Sequence, residues 1–297
     1  MHVFVTGATG HIGSAVVAEL LEAGHRVTGL ARSDEAAAAL TARGATARRG
    51  DLDDLDGLRD AAAAADGVIH LAFEHDFDNF MAVAQKDLRA VETIGEALAG
   101  SDRPFVITSG TLLLALIGQG GVGTEHDTLP GGPRIDSENA VIALAERGVR
   151  SSVIRLAPLV HSNLDHHGFA HHLINTARGT GVSAYIGDGA NRWPGIHTLD
   201  AARMYRLALE KAPAGTRLHG VADEGVPFRD IAGVIGRHLN VPMVSISAEE
   251  AGHFGFLALF AALDNPTSNA LTQKVLDWQP ERPGLIEDLE AGHYFGE

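Results

Sequence analysis

Gly7, Gly10 and Gly13 fall three residues apart, between the apolar run Val3-Phe4-Val5 and a segment whose apolar residues, Ala15, Val16, Val17, Leu20 and Leu21, recur at helical spacing. A buried strand that turns through glycines into a helix can hold the pyrophosphate of a dinucleotide. Gly7 permits the tight turn, Gly10 lets backbone N–H groups approach the phosphates with no Cβ in the way, and Gly13 lets the helix pack close to the strand. The stretch Thr9-Gly10-His11-Ile12-Gly13 then turns a helix N-terminus toward the anion. A second group of residues with chemical capacity is the histidine set His161, His166, His167, His171 and His172. His167 and His171 are one helical turn apart, as in many metal sites, but a site also needs a third ligand and a supporting shell. Only Asp165 lies among them, so a polar pocket rim is expected and no metal.

The elements that must position these groups alternate in a βαβ rhythm, the pattern of a parallel sheet. Strands are expected near 2–6, 26–31, 45–49, 67–72, 104–109 and 152–157, and helices near 12–23, 34–43, 55–65, 77–99 and 136–147. The alanine-rich stretches 36–42 and 61–65 have charged flanks and fit surface helices. After Arg155-Leu156-Ala157-Pro158 the rhythm breaks. A helix is expected near 169–178, and Ser183 to Trp193 reads as a strand with a Gly-Asp-Gly loop. Asp200 would cap a helix near 201–211, and a strand near 217–222 would return to the main sheet. From Pro227 onward come a helix, the short strand Met243–Ile246, and apolar helices near 248–262 and 268–277.

Composition narrows the function classes. With 23 Lys and Arg against 38 Asp and Glu, the net charge is −15, which disfavours sequence-independent nucleic-acid binding. No cysteine is present, so disulfides, thiolate zinc sites and a cysteine nucleophile are all excluded. The first strand begins at residue 2 and no apolar run approaches the roughly 18 residues of a membrane span. A soluble cytoplasmic protein with a small-molecule substrate is expected, and a homodimer is compatible with it.

The octapeptide Thr6-Gly7-Ala8-Thr9-Gly10-His11-Ile12-Gly13 resembles the glycine turn of the short-chain dehydrogenase/reductase superfamily, in particular its extended and atypical branches of epimerases, dehydratases and 3β-hydroxysteroid-dehydrogenase-like proteins. The resemblance implies an α/β fold with a Rossmann-type doubly wound parallel sheet and a small C-terminal substrate domain. The dinucleotide-binding domain would span 1–160, with 197–222 returning to it, and the substrate domain 161–196 and 223–297. NAD-binding members usually carry an acidic residue at the end of the second strand, to hold the ribose 2′-hydroxyl. Here Ala31 takes that place, followed by Arg32 and Ser33. A guanidinium suits a 2′-phosphate, so NADP(H) is expected ahead of NAD(H), although Asp34 and Glu35 close behind lower the local potential. By the same resemblance, Asp51 and Leu52 would cradle the adenine. Leu71, Ala72 and Phe73 would run along the second ribose, and Pro158 and Leu159 would clasp the nicotinamide end.

The superfamily's Tyr-x-x-x-Lys pair, which transfers the proton, is absent. The residues four before Lys86, Lys211 and Lys274 are Ala82, Leu207 and Ala270. The matching positions hold Arg134 and Glu138, which could pair at i, i+4; alternatively Arg134 could anchor or polarise a substrate, but it cannot act as a base near neutral pH. Ser109 or Thr111, at the end of the fifth strand, would hydrogen-bond a substrate oxygen, and His161 is the replacement acid. Tyr185, Trp193 and His197 would line the substrate cleft. The leading expectation is an NADPH-dependent reductase of a small carbonyl or conjugated acceptor. A non-catalytic NADP(H)-binding sensor and a nucleotide-sugar epimerase or dehydratase are the alternatives.

Overall fold

Apolar strands flanked by amphipathic helices pack, in the computed structural model of the chain, into a sheet of seven parallel strands. Residues 1–74, 76, 79–117 and 120–296 are described. Residues 77 and 78, the start of the helix expected over 77–99, and residue 297 of the expected substrate domain lie outside them.

The chain runs β1 (His2–Thr6), α1 (His11–Glu22), β2 (Arg26–Ala31), α2 (Asp34–Ala42), β3 (Thr46–Arg49), α3 (Leu55–Ala63), β4 (Gly67–His70), α4 (Phe80–Leu98) and β5 (Pro104–Gly110). It continues through α5 (Leu112–Ile117), α6 (Ile135–Ala143) and β6 (Arg150–Leu156), and later α8 (Thr198–Lys211) and β10 (Thr216–Gly220) rejoin this layer. The strand order is β10-β6-β5-β4-β1-β2-β3. The order reverses between β1 and β4, and open α/β sheets bind ligands in the crevice at that switch point, outside the carboxyl ends of the strands. One face buries Val3, Val5, Val16, Leu20, Ile69 and Tyr205 against α1 and α8. The other buries Phe4, Leu58, Val91, Ile94, Phe105 and Val153 against α3, α4 and α6.

A second unit stands over the C-terminal edge of the sheet. It comprises β7 (Leu159–His161), α7 (Phe169–Thr180), β8 (Ser183–Ile186), β9 (Arg192–His197), β11 (Asp223–Pro227), α9 (Phe228–Leu239), β12 (Met243–Ile246) and α11 (Leu285–Glu290). These form a three-stranded sheet, β11-β9-β7, and the parallel pair β12-β8. Their shared core contains Leu173, Ile174, Trp193, Phe228, Ile231 and Leu257.

Three features depart from the sequence reading. β9 and β11 depart from the expected strands because Trp193-Pro194-Gly195 and Gly225-Val226-Pro227 interrupt any alternation with strand breakers, and β7 because three residues are too few to show one. The helix expected over 248–262 is a 3-10 segment, Ala248–Leu259, broken at Gly255, whose φ is +57°. Finally α10 (Ala270–Leu276), expected in the substrate domain, packs on α8 and β10, with Leu276 and Trp278 in the core of the main sheet. Amphipathic spacing announces a buried face without saying which unit covers it.

Candidate active site

The glycine turn divides its labour unevenly. Gly7 has φ +67°, and a Cβ there would meet Ala72 N at 2.7 Å; a Cβ on Gly13 would lie 2.0 Å from Gly7 O. Both positions are closed by the protein itself. A Cβ on Gly10 would meet only Gly7 O, at 3.3 Å. A Cβ there would ask that one backbone oxygen to give by only a few tenths of an ångström, so the fold closes this position far less than the other two and leaves space beside it that fits an incoming pyrophosphate. Gly10 is also the N-cap of α1 and places no side chain on the helix's first N–H groups. Exposed Thr9 and partly exposed Ile12 flank the same opening.

Around this turn the expected adenosine contacts are distributed. Ser33 Oγ accepts from Ala36 N and caps α2, and exposed Arg32 precedes it. Asp51 Oδ1 accepts from the backbone of Asp53 and Asp54, and Leu52 is buried in the core beneath α3. Leu71 N donates to Thr6 O, and Ala72 N donates to Thr6 Oγ1. These bonds fix the path from β4 across the crevice.

From Thr6 a buried chain runs toward position 134. The Thr6 hydroxyl bonds His70 Nδ1 at 2.8 Å, and His70 Nε2 bonds Asp87 Oδ1 at 3.1 Å. Ser137 donates to Asp87 Oδ2 at 2.7 Å, and Arg134 Nη1 lies 3.6 Å from Asp87. Burial pushes the Asp87 carboxyl up, but the His70 bond and the Arg134 charge outweigh it and hold its pKa below the ordinary aspartate value. Arg134 itself donates from Nη2 to Thr108 O at 2.6 Å and lies 3.9 Å over the Phe73 ring. Its backbone has φ +68°, a region that costs a residue with a side chain about 1–3 kcal/mol and persists only where the surroundings enforce it. This strain, the cation–π contact and the ion pair together hold a guanidinium at the end of β5, with 12% of its side chain exposed.

The i, i+4 pair of Arg134 with Glu138 does not form. Glu138 turns into the protein and takes Arg155 on two oxygens and Arg217 on one, at 2.5 to 3.1 Å. Burial pushes this carboxyl up as well, and the bonds and charge of Arg155, then Arg217, bring it below its ordinary value. Ser109 Oγ is buried beside this carboxylate without reaching hydrogen-bond geometry. Thr111 is fully buried and its Oγ1 accepts from Asn265 Nδ2 at 3.0 Å. Neither the Ser109 nor the Thr111 hydroxyl stands bare in the crevice.

The residues expected from the far side are mostly packed. His161 is 0% exposed; its Nδ1 bonds Asp288 at 2.9 Å and its ring abuts His197 edge-on. That burial does not fit an acid open to the crevice, because a proton donor must reach the reacting oxygen directly or through one water. His197 caps α8 by accepting from Leu199 N. Burial and the neighbouring His161 hold its pKa below the usual histidine value, which keeps the accepting nitrogen unprotonated. Trp193 is buried between Phe169 and Phe228 in the core of the second unit. Tyr185 is half-buried on that core, Leu159 is inside it, and Pro158 is partly exposed.

The histidine-rich stretch serves as a joint. Asp165 lies 3.6 Å from His11 Nδ1 at the start of α1, His171 Nε2 bonds Asp165 O, and His172 Nε2 bonds Phe254 O. Among the described residues no three His, Asp or Glu side chains are arranged to hold a metal ion, and no helix is long and apolar enough to cross a membrane. The sequence reading missed His70, Asp87 and Thr6. Their signal was faint: polar residues ending apolar strands, and an aspartate on an otherwise apolar helix face.

The profile of the NAD dependent epimerase/dehydratase family matches residues 3–124. Over 296 residues the chain is 49% identical to uncharacterized protein C2A9.02 of Schizosaccharomyces pombe, covering 99% of this chain and 100% of that one. It is 44% identical to uncharacterized protein YLL056C of Saccharomyces cerevisiae, with 99% of each covered. Among solved structures, MoeE5 in complex with UDP-glucose and NAD superposes with a TM-score of 0.76 at 22% identity, over 99% of this chain and 98% of that one.

Proposed function

The chain belongs to the NAD dependent epimerase/dehydratase family, within the short-chain dehydrogenase/reductase superfamily, and we propose that it is an NADPH-dependent reductase of a small organic carbonyl or conjugated acceptor. The observation that carries this reading is the fate of positions 134 and 138. One presents a cation at the end of β5 and the other is locked into the core, so neither position supplies a base to take a proton from an alcohol. Reduction has no such need. NADPH, when bound along the glycine turn, supplies two electrons and a hydrogen to the acceptor carbon.

Arg134 is then the group that meets the negative charge growing on the acceptor oxygen. Its bond to Thr108 O and its pairing with Asp87 fix the fork without consuming its five N–H donors. Solvent protonates the oxygen once electrons have arrived. A non-catalytic NADP(H)-binding sensor is the second reading, favoured by the burial of Ser109 and Thr111. Epimerase or dehydratase chemistry on a nucleotide sugar fits less well, since it needs the missing base.

The test begins with calorimetric titration of NADPH and NADH into the purified protein. Carbonyl and enone compounds are then screened for loss of the reduced-nicotinamide absorbance band. On a verified substrate, Arg134→Ala is expected to lower kcat/KM by about 10²-fold, the scale of losing one oxyanion donor, with NADPH affinity unchanged. His161→Phe should leave the pH–rate profile without a lost step near neutrality. Full turnover in Arg134→Ala would refute the role of the guanidinium. NADPH binding with no substrate, joined to a change in association with another protein, would instead favour the sensor.

A further inference from the structure

His11 opens α1 one residue after Gly10, and its ring reaches from the glycine turn to two other elements. Nε2 lies 2.8 Å from Thr198 Oγ1 at the start of α8, and Nδ1 lies 3.6 Å from Asp165 Oδ1 in the loop before α7. These neighbours fix where the ring's hydrogen sits. Thr198 gives its one hydroxyl proton to His161 O at 3.2 Å, so it accepts from His11, whose Nε2 carries the hydrogen. In the neutral ring Nδ1 is then a lone pair turned toward a carboxylate. The Asp165 side chain is 0% exposed and accepts from His167 N, Gly168 N and the Tyr294 hydroxyl at 2.6 to 3.2 Å. Those three donors are neutral, and a buried carboxylate without a cation is costly. The ring nevertheless stays uncharged on its own. Burial, ahead of the pull of Asp165, holds the His11 pKa below the usual histidine value, and His166, His171 and His161 push it the same way. Asp200, the acidic residue in the first turn of α8, is taken up by the backbone of Glu281 and Arg282.

We infer that His11 takes up a proton when the dinucleotide binds, and that the imidazolium so formed ties the Asp165 loop of the second unit to the glycine turn; the inference rests on the dinucleotide reading of that turn. A pyrophosphate brings two negative charges to the N-terminus of α1, where His11 is the first residue. Like Asp165 they favour the charged ring, and together they outweigh the burial that Asp165 alone does not overcome. The proton comes from solvent and goes to Nδ1, the ring nitrogen without a hydrogen. There it turns the lone pair facing Asp165 into a donor, and a charge-assisted bond replaces a repulsive contact. The same carboxylate holds Tyr294, whose hydroxyl also accepts from Ser162 N at 3.0 Å. What tightens at His11 is therefore passed to the loop on both sides of Asp165 and to the segment after α11.

The test uses the full chain and ADP-ribose, which carries the same pyrophosphate and has no group that titrates near neutrality. Calorimetry in buffers of different ionisation heat should show protons drawn from the buffer on binding, at most one per site. Affinity should fall as pH rises from about 6 to about 8, by no more than about tenfold per unit, the limit for one proton. His11→Gln keeps a donor for Thr198 and should bind with no uptake and an affinity indifferent to pH. His166→Gln should keep the uptake. Hydrogen exchange over residues 162–171 should slow on binding in the wild type and not in His11→Gln. The ring-proton resonances of the wild type give an answer that does not depend on any variant's folding: one histidine should move to its protonated position when ADP-ribose is added. A wild-type protein that does not bind ADP-ribose would overturn the dinucleotide reading and this inference with it. Binding with no proton uptake and no moving resonance would overturn the inference alone. Uptake that persists in His11→Gln, or is lost in His166→Gln, would overturn the assignment to His11, and equal slowing of exchange in His11→Gln would overturn the tie to the second unit.

Discussion

Gly10→Val should fold and lose all measurable cofactor affinity, while Gly13→Ala should fail to fold. The two glycines belong to the same turn and would be expected from sequence to behave alike, but the structure separates them. At Gly13 a Cβ would fall 2.0 Å from Gly7 O, inside any permitted contact, so α1 would have to lift from β1 and break the core that Val16, Val17 and Leu20 close. At Gly10 the backbone has φ −72° and ψ 176°, allowed to any residue, and the one close atom is Gly7 O at 3.3 Å. The side chain of valine would occupy the space left for the pyrophosphate. Circular dichroism and thermal melts report the fold, and calorimetry with NADPH reports binding. A folded Gly10→Val protein that retains wild-type affinity would show that the dinucleotide lies elsewhere.

The second large effect concerns Glu138. Its carboxylate is the shared counter-charge of Arg155, itself 1% exposed, and Arg217. Glu138→Gln keeps the shape but leaves buried guanidinium charge unbalanced. Breaking such a pair costs about 3–5 kcal/mol, and a loss of that size lowers Tm by on the order of 10 °C in a chain this long. The effect depends on pH in a definite direction. The folded-state pKa of Glu138 lies below its ordinary value of 4.5, so the group contributes its full stability above that ordinary value and loses it as pH falls from there through the depressed folded value. Denaturant melts should therefore show the wild-type advantage over Glu138→Gln as constant from about pH 7 to about pH 5 and shrinking below. An advantage independent of pH would mean that the carboxylate's charge is not what matters.

Much of this architecture was legible before any coordinates. The β1 turn, the βαβ rhythm and the return of 217–222 are written in apolar runs, glycines and caps, signals that act over a few residues. What escaped depends on distant partners. Nothing local tells that Glu138 faces Arg155 and Arg217 instead of Arg134, since all four lie at spacings or separations that several pairings could satisfy. His70 and Asp87 are 17 residues apart and meet only because β4 and α4 pack across the sheet. Trp193, expected in the cleft, is an aromatic whose surroundings are supplied by Phe169 and Phe228 from two other elements.

The ties of Glu138 also bear on how this chain could change over evolutionary time. Restoring the tyrosine and lysine of the wider superfamily would take two substitutions, Arg134→Tyr and Glu138→Lys. The second would set an ammonium against the buried guanidinium of Arg155 and the half-buried one of Arg217, and the first would strip Asp87 of its cationic neighbour. The lysine would be harmful until Arg155 and Arg217 had changed as well, and the tyrosine until Asp87 had. A tyrosine and a lysine at these two positions are therefore opposed by the protein's own interior, and a lineage from this chain would reach them only by rebuilding the charges around both.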